Sequence, residues 1–229
     1  MKTKIIHFTH RKDRRENVHR LLRQASAFSE ASIQHAFAPV WEQERERRAI
    51  IGSSVSALLA YEDCRNEDLC LVLEDDAKLT SDFTIPRLPM GCGACLLGGE
   101  TPNVFPSSHE GFYEVEDPWF GAHAVLFNVP TLEENNFLEA AYKALAMHDI
   151  SPRGACWEGV ITGVMRTLGL KTLRREHMDF TTIDSPSERS EIPVPPRQML
   201  SASESHSYRV EQSHPVQRAP ESPIREFKP

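Results

Sequence analysis

The sequence predicts an α/β fold, with one Rossmann-like domain built on a mostly parallel central sheet. Short apolar runs that suit strands alternate with helical patterns over the first part of the chain, at residues 4–8, 13–24, 33–38 and 52–63. The run at residues 69–73 is apolar throughout, which is typical of a central strand buried on both faces. Strands predicted further along the chain add an antiparallel part to the sheet.

The predicted helices follow from apolar spacing and from residues that begin helices. Serine is a good N-cap, and serines that precede an apolar pattern predict a helix over residues 52–63. The capping-box spacing of Thr131 and Glu134 predicts one continuous helix to about residue 146.

Length and composition limit the classes of protein that fit. The 229 residues suffice for one α/β domain with a core, which we place at residues 1–185. Residues 186–229 are rich in proline and serine and poor in large apolar side chains, so we expect a mostly disordered tail. No apolar run is long enough to span a membrane and no signal-peptide pattern occurs, which predicts a cytoplasmic protein.

Charge and cysteine content narrow the choice further. The net charge of −7 argues against a protein that coats nucleic acid. Bases are nevertheless concentrated at residues 11–23, where they form either a solvated helix face or an anion site. The chain has five cysteines, and Cys92 and Cys95 have CxxC spacing, but residues 94–97 are typical of the start of a strand, which argues against a redox or zinc site.

The most informative residues are three consecutive carboxylates, Glu74, Asp75 and Asp76, directly after the buried strand. In open α/β sheets, ligands bind at the carboxyl ends of strands. Neighbouring carboxylates repel one another unless a cation neutralises them, and Mg²⁺ typically binds one or two carboxylates together with substrate phosphates. Side chains alternate in extended backbone, so Glu74 and Asp76 should point one way and Asp75 the other. Spacing leaves open which pair binds the metal, and a solvated acidic turn is the alternative.

Three segments of the sequence, taken in chain order, form a pattern. An arginine-rich turn at residues 11–15 follows the first strand, Gly52 and its serines open the next helix, and residues 72–77 carry the acidic triplet. This pattern resembles glycosyltransferase family 25, the lipooligosaccharide galactosyltransferase group, and residues 120–124 add a weaker match. Ala57 departs from the family pattern, which usually has a histidine at this point.

The resemblance implies a nucleotide-diphosphosugar transferase fold of the GT-A type and the activity of a hexosyltransferase. The donor would be a nucleotide-diphosphate sugar, in the first place a UDP-sugar, and the acceptor a glycan. Mn²⁺ or Mg²⁺ held by Asp76, with Asp75 or Glu74, would offset the charge that grows on the leaving diphosphate.

The same resemblance suggests which residues bind the nucleotide sugar. Arg11, Arg14 and Arg15 are candidates for charge-assisted hydrogen bonds to the donor, with Asp75 as a further contact. Ser56 is a candidate for a hydrogen bond to the nucleotide, and capping of a helix is its alternative role.

The family's bacterial members invert the sugar's configuration, and inversion requires a general base near the acceptor hydroxyl. Glu158 and Asp117, each close to a tryptophan, are the candidates, because an aromatic ring beside a carboxylate suits the apolar face of a sugar, and Glu158 is preferred. The alternative role of Glu158 is a favourable interaction with the dipole of the predicted helix that it begins. We interpret His123 as a packed strand residue, and His7 as an exposed residue beside the first turn.

Other functions fit parts of the sequence. A non-catalytic binding or scaffolding module would keep the fold and dispense with the acidic triplet. A transferase acting on nucleic-acid bases would use the basic segment and show activity that falls steeply with salt. A nucleotidyltransferase should have a glycine-rich turn after the first strand, and residues 9–12 contain no glycine.

Overall fold

The computed structural model describes residues 1–39, 45–80, 83–100, 104–115, 120–147 and 157–183, and the structural statements below concern these residues. The predicted tail, residues 186–229, lies outside them. None of the helices in the described ranges has the length and apolar character needed to cross a membrane.

The described residues contain ten strands. In chain order they are β1 (Lys2–His7), β2 (Glu30–His35), β3 (Leu69–Glu74), β4 (Ala77–Leu79), β5 (Cys92–Glu100), β6 (Val104–Pro106), β7 (Phe112–Val115), β8 (Phe120–Asn128), β9 (Lys171–Arg175) and β10 (Phe180–Thr182). Eight form one sheet in the order β2-β1-β3-β8-β5-β9-β7-β6, and β4 pairs with β10 in a separate ladder.

The sheet combines parallel and antiparallel pairings. β1 runs parallel to both of its neighbours, β2 and β3, and β9 runs parallel to β5. The remaining pairs, including β3 with β8, are antiparallel. The α/β class is therefore confirmed, with a parallel region at β2-β1-β3 and an added antiparallel part.

Helices cover both faces of the sheet. They are α1 (Arg15–Ala25), α2 (Arg45–Glu62), α3 (Val129–Glu134), α4 (Phe137–Met147) and α5 (Trp157–Thr167), and a short 3₁₀ turn over Lys12–Arg14 precedes α1. The core on one face contains side chains of α1 and of the β4–β10 ladder, and the core on the other contains side chains of α2 to α5.

Alternation along β3 feeds both of these cores. Leu71 and Leu73 pack on the side of α1, against Leu21, whereas Val72 packs on the side of α2. Val72 is only 1% exposed, because β3 lies between β1 and β8 with helices above and below. The apolar run at residues 69–73 is thus a central strand, as predicted.

Two predicted helices differ from the structure. α2 begins at Arg45, so the serines after Gly52 lie inside the helix and do not cap it. A Cβ atom at Gly52 would lie 2.8 Å from the carbonyl oxygen of Phe37, so this glycine permits a close approach between segments. The predicted helix to residue 146 is two helices, because Asn136 between them has φ of 52°, which no helix accommodates.

Gly98 brings β5 close to β10, and we expect an added methyl group to be poorly tolerated. A Cβ atom there would lie 2.9 Å from both the Cβ atom and the carbonyl oxygen of Phe180. We expect Gly98→Ala to lower the free energy of unfolding by about 1–3 kcal/mol in urea denaturation. Gly163→Ala is the control, because a Cβ atom there meets nothing within 4 Å and should stabilise α5 by about 0.5–1 kcal/mol. Equal effects of the two changes would contradict this account.

Candidate functional site

The acidic triplet lies at the carboxyl ends of β1 and β3, beside the first half of β8. The parallel pairing of β1 with β3 places the carboxyl end of β1 beside Glu74. β8 is antiparallel to β3, with Ala124 paired to Leu73, so the residue before Ala124 comes next to the triplet. That residue is His123, and the register of two strands distant in sequence therefore adds an imidazole to the carboxylates.

Glu74, Asp76 and His123 form a compact group of possible metal ligands, which we call the ligand cluster. One oxygen of each carboxylate and one ring nitrogen all lie within 4.8 Å of one another. His123 Nδ1 is 3.4 Å from Glu74 Oε2 and 3.5 Å from Asp76 Oδ1. The sequence interpretation of His123 as merely packed missed this contact.

The donor atoms of the ligand cluster fit a divalent cation. Asp76 Oδ1 and His123 Nδ1 are both buried, and neither has a hydrogen-bond partner among the described residues. Buried polar atoms are nearly always paired, and these two have each other at 3.5 Å, an ion-pair distance at which a shared cation also fits. Two carboxylates and an imidazole are donors that a divalent metal accepts.

Electrostatics in the protein alone favour a charged histidine. Burial lowers the pKa of His123, but the contacts with Asp76 and Glu74 outweigh burial and raise this pKa to about 9. For Asp76 burial acts in the opposite direction and raises the pKa of the carboxyl group. The contacts with His123 and Arg14 outweigh burial and hold this pKa below its usual value. The imidazolium thus balances the carboxylates, and a metal would take the place of its proton.

Asp75 lies on the other side of the turn from the ligand cluster. Its Oδ2 atom is 2.9 Å from His7 Nδ1 and its Oδ1 atom accepts a hydrogen bond of 2.5 Å from Arg14 Nη1. The alternation expected for the triplet is therefore observed. His7, expected to be exposed, is only 8% exposed because its ring packs against Asp75.

The three arginines predicted to bind the nucleotide sugar have different surroundings. Arg11 forms a two-point pair with Asp13, at 3.0 and 2.7 Å. Arg14 is buried and contacts both Asp75 and Asp76. Arg15 is exposed on α1 and lines an open surface groove whose other lining residues are Lys12, Glu16, His19 and Arg23. Of the three, Arg14 is the one placed against the acidic triplet by its ion pairs with Asp75 and Asp76.

Ser56 has a structural environment that differs from the predicted contact with a nucleotide. Its hydroxyl donates a hydrogen bond of 2.5 Å to the carbonyl oxygen of Gly52 and accepts one of 2.7 Å from the Phe37 N–H. The residue is fully buried inside α2, away from any helix start. Ser56 therefore holds α2 to the segment that follows β2.

The two candidate general bases are only partly described. Asp117 lies outside the described residues. The backbone of Glu158 lies in the first turn of α5, as expected, and the structure does not describe its side chain. Both assignments remain predictions.

The CxxC pair has the environment of core residues. Cys92 and Cys95 are buried in β5, and burial raises the pKa of Cys92 to about 12 and that of Cys95 well above its usual value. Thiols held in the neutral form are poor nucleophiles and poor metal ligands. The predicted strand at residues 94–97 is confirmed, and it begins earlier, at Cys92.

Together the mixed sheet and the acidic turn at its carboxyl edge define a class of fold, that of GT-A type glycosyltransferases. A crystal structure of a glycosyltransferase involved in the glycosylation of the major capsid of PBCV-1 is similar, with a TM-score of 0.56 at 12% identity over 83% of this chain and 96% of that chain. A Drosophila β1,4-galactosyltransferase 7 mutant in complex with manganese, UDP-Gal and xylobiose gives a TM-score of 0.46 at 11% identity, over 83% and 72% of the two chains.

Sequence comparisons add no closer relative. No family model matches the chain, and no curated protein matches it. At 12% identity the likeness shows a shared fold and nothing finer. Membership of glycosyltransferase family 25 therefore stays a prediction.

Proposed function

We propose that this protein is a metal-dependent glycosyltransferase that moves a hexose from a nucleotide-diphosphate sugar to an acceptor hydroxyl, with inversion at the sugar. The observation that carries the proposal is the ligand cluster, in which Asp76 Oδ1 and His123 Nδ1 face each other without hydrogen-bond partners among the described residues. The cluster lies at the carboxyl edge of β1 and β3, where ligands of open α/β sheets bind.

Glu74, Asp76 and His123 would hold the metal. The imidazole in this set favours Mn²⁺ over Mg²⁺, because Mg²⁺ prefers oxygen ligands and keeps several waters. When bound, the metal would neutralise charge that develops on the leaving diphosphate. We take a UDP-sugar as the donor and a glycan as the acceptor.

The residues of the chain would divide the remaining tasks. Arg15 and Arg11, close in sequence to the buried Arg14, supply positive charge for the phosphates at the start of α1, where the helix dipole also favours an anion. Glu158, or Asp117 instead, would accept the proton of the acceptor hydroxyl as general base.

The test is binding and hydrolysis of nucleotide sugars by the wild type and by Asp76→Asn. A panel of UDP- and GDP-sugars is followed by thermal shift and by release of nucleoside diphosphate, with Mn²⁺ and with chelator. We expect one donor to stabilise the wild type only with metal. We expect Asp76→Asn to lose that stabilisation. The variant should also release nucleoside diphosphate at least roughly 100-fold more slowly than the wild type, because charge stabilisation by a metal is worth several kcal/mol.

The matched control is Glu110→Gln, which also neutralises one carboxylate, on an exposed residue outside the cluster. It should behave like the wild type. Failure of every sugar nucleotide to bind the wild type, with or without metal, would refute the proposal and favour a scaffolding module.

A further inference from the structure

A buried network of charges lies beneath the acidic turn. Asp75 is 2% exposed, and its carboxylate contacts Arg14 Nη1 at 2.5 Å, His7 Nδ1 at 2.9 Å and the Phe8 N–H at 3.3 Å. The protein itself therefore supplies the partners of this carboxylate on the side away from His123. A carboxylate surrounded in this way has little capacity left to ligate a metal.

Arg14 links this network to the ligand cluster. The same Nη1 atom that bonds Asp75 lies 3.1 Å from Asp76 Oδ2. Asp76 thus has two differently used oxygens. Its Oδ2 atom faces the guanidinium, and its Oδ1 atom faces His123.

The backbone of the turn is also fixed, from two directions. The side-chain amide of Asn17 donates hydrogen bonds of 2.9 Å to the carbonyl oxygens of both Asp75 and Ala77. The Ile183 N–H donates one of 2.9 Å to the carbonyl oxygen of Asp76 between them. Because every carbonyl from residue 75 to residue 77 has a donor, the turn has little freedom to bring Asp75 round to the cluster.

From these contacts we propose that Asp75 is a positioning residue, which holds Arg14 so that only one oxygen of Asp76 is engaged and the other is presented to the metal. A buried guanidinium needs a carboxylate partner. Asp76 already lies 3.1 Å from Arg14 Nη1 and would remain as a carboxylate partner without Asp75, and guanidinium groups readily bind both oxygens of one carboxylate. Arg14 would then compete with the metal for Asp76. The inference rests on the metal site of the proposed function and removes Asp75 from its ligands.

A double-mutant cycle on the full chain tests this inference with Mn²⁺ alone, in the absence of any sugar nucleotide. The dissociation constant of Mn²⁺ is measured by titration calorimetry for the wild type, Asp75→Asn, Arg14→Met and the double variant. We expect Asp75→Asn to weaken binding roughly 10- to 100-fold, as for other groups that orient a ligand. In the Arg14→Met background the competing guanidinium is gone, so adding Asp75→Asn should change the constant by less than about threefold.

A direct ligand would behave differently. If Asp75 binds the metal, Asp75→Asn weakens binding by the same factor in both backgrounds, and this result overturns the inference while the proposed function stands. A wild type that binds no Mn²⁺ overturns both the inference and the metal in the proposed function.

Folding of the variants is controlled by thermal unfolding in chelator. Should Asp75→Asn alone fail to fold, the comparison of Arg14→Met with the double variant still decides, since neither leaves a buried arginine without its partner. In Arg14→Met the Asp75 carboxylate keeps His7 Nδ1 and the Phe8 N–H as partners. Equal Mn²⁺ affinity of these two supports positioning, and a loss of affinity in the double variant contradicts it.

Discussion

Val72→Asp should unfold the domain. Val72 is 1% exposed and lies in the middle of β3, with strands on either side and a hydrophobic core on its face of the sheet. An aspartate there would bury a carboxylate with no partner, and such a change removes roughly 4–5 kcal/mol or more, a large part of the stability of a small domain. Circular dichroism and urea denaturation of the purified variant measure the effect.

The control for this change is Thr181→Asp, which places the same acid on an exposed strand residue. Thr181 lies in β10 opposite Lys78, and both are exposed. The free energy of unfolding should change by no more than about 0.5 kcal/mol. A folded Val72→Asp variant with a cooperative transition near that of the wild type would show that β3 is not a central strand.

The stability of the metal-free protein should fall as the pH rises from about 6.5 to about 9. His123 has a pKa raised to about 9 in the folded protein, against the ordinary value of 6.5 in the unfolded chain. Below pH 6.5 both states carry the proton, and the attraction of the imidazolium to Asp76 and Glu74 contributes in full. Between the two values only the folded state keeps the proton, so the contribution, at most about 3 kcal/mol, is lost progressively.

The measurement is urea denaturation at pH 6 and pH 9 in the presence of chelator. His123→Gln should abolish most of the difference between the two pH values. His19→Gln, a change of an exposed histidine on α1, should leave it intact. The same pH slope in the wild type and in His123→Gln would exclude His123 as the source.

Local patterns were enough to predict the framework of the site. The apolar run of β3 and the alternation of side chains after it placed Glu74 and Asp76 together and Asp75 apart, because both depend only on neighbouring residues. The α/β class followed from alternating strand and helix patterns in the same way.

Long-range pairing was beyond the reach of the same reasoning. His123 joins the triplet only through the register of β8 against β3, and no spacing in the sequence encodes that register. The buried states of His7 and Arg14 depend on Asp75, which is distant from both in the chain. A lone histidine in the apolar segment 120–127 gave no signal of a metal ligand.

The error at α2 has a physical cause of another kind. A glycine followed by serines is a common helix start, but Gly52 was needed for its lack of a side chain next to Phe37. The helix could continue through these residues because the hydroxyl of Ser56 bonds within the helix and to the Phe37 N–H. Tertiary packing here overrode a local preference.

The hydrogen bonds that fix the backbone of the acidic turn also bear on the order in which parts of the protein fold. Their donors come from Asn17, near one end of the described chain, and from Ile183, at the other. The contact of Ile183 with Asp76 closes a longer loop than the pairing of β1 with β3, so we expect it to form later in folding. Refolding monitored by Mn²⁺ binding should accordingly lag behind refolding monitored by the β1–β3 core, so that metal binding would report the late contact of Ile183 with the acidic turn.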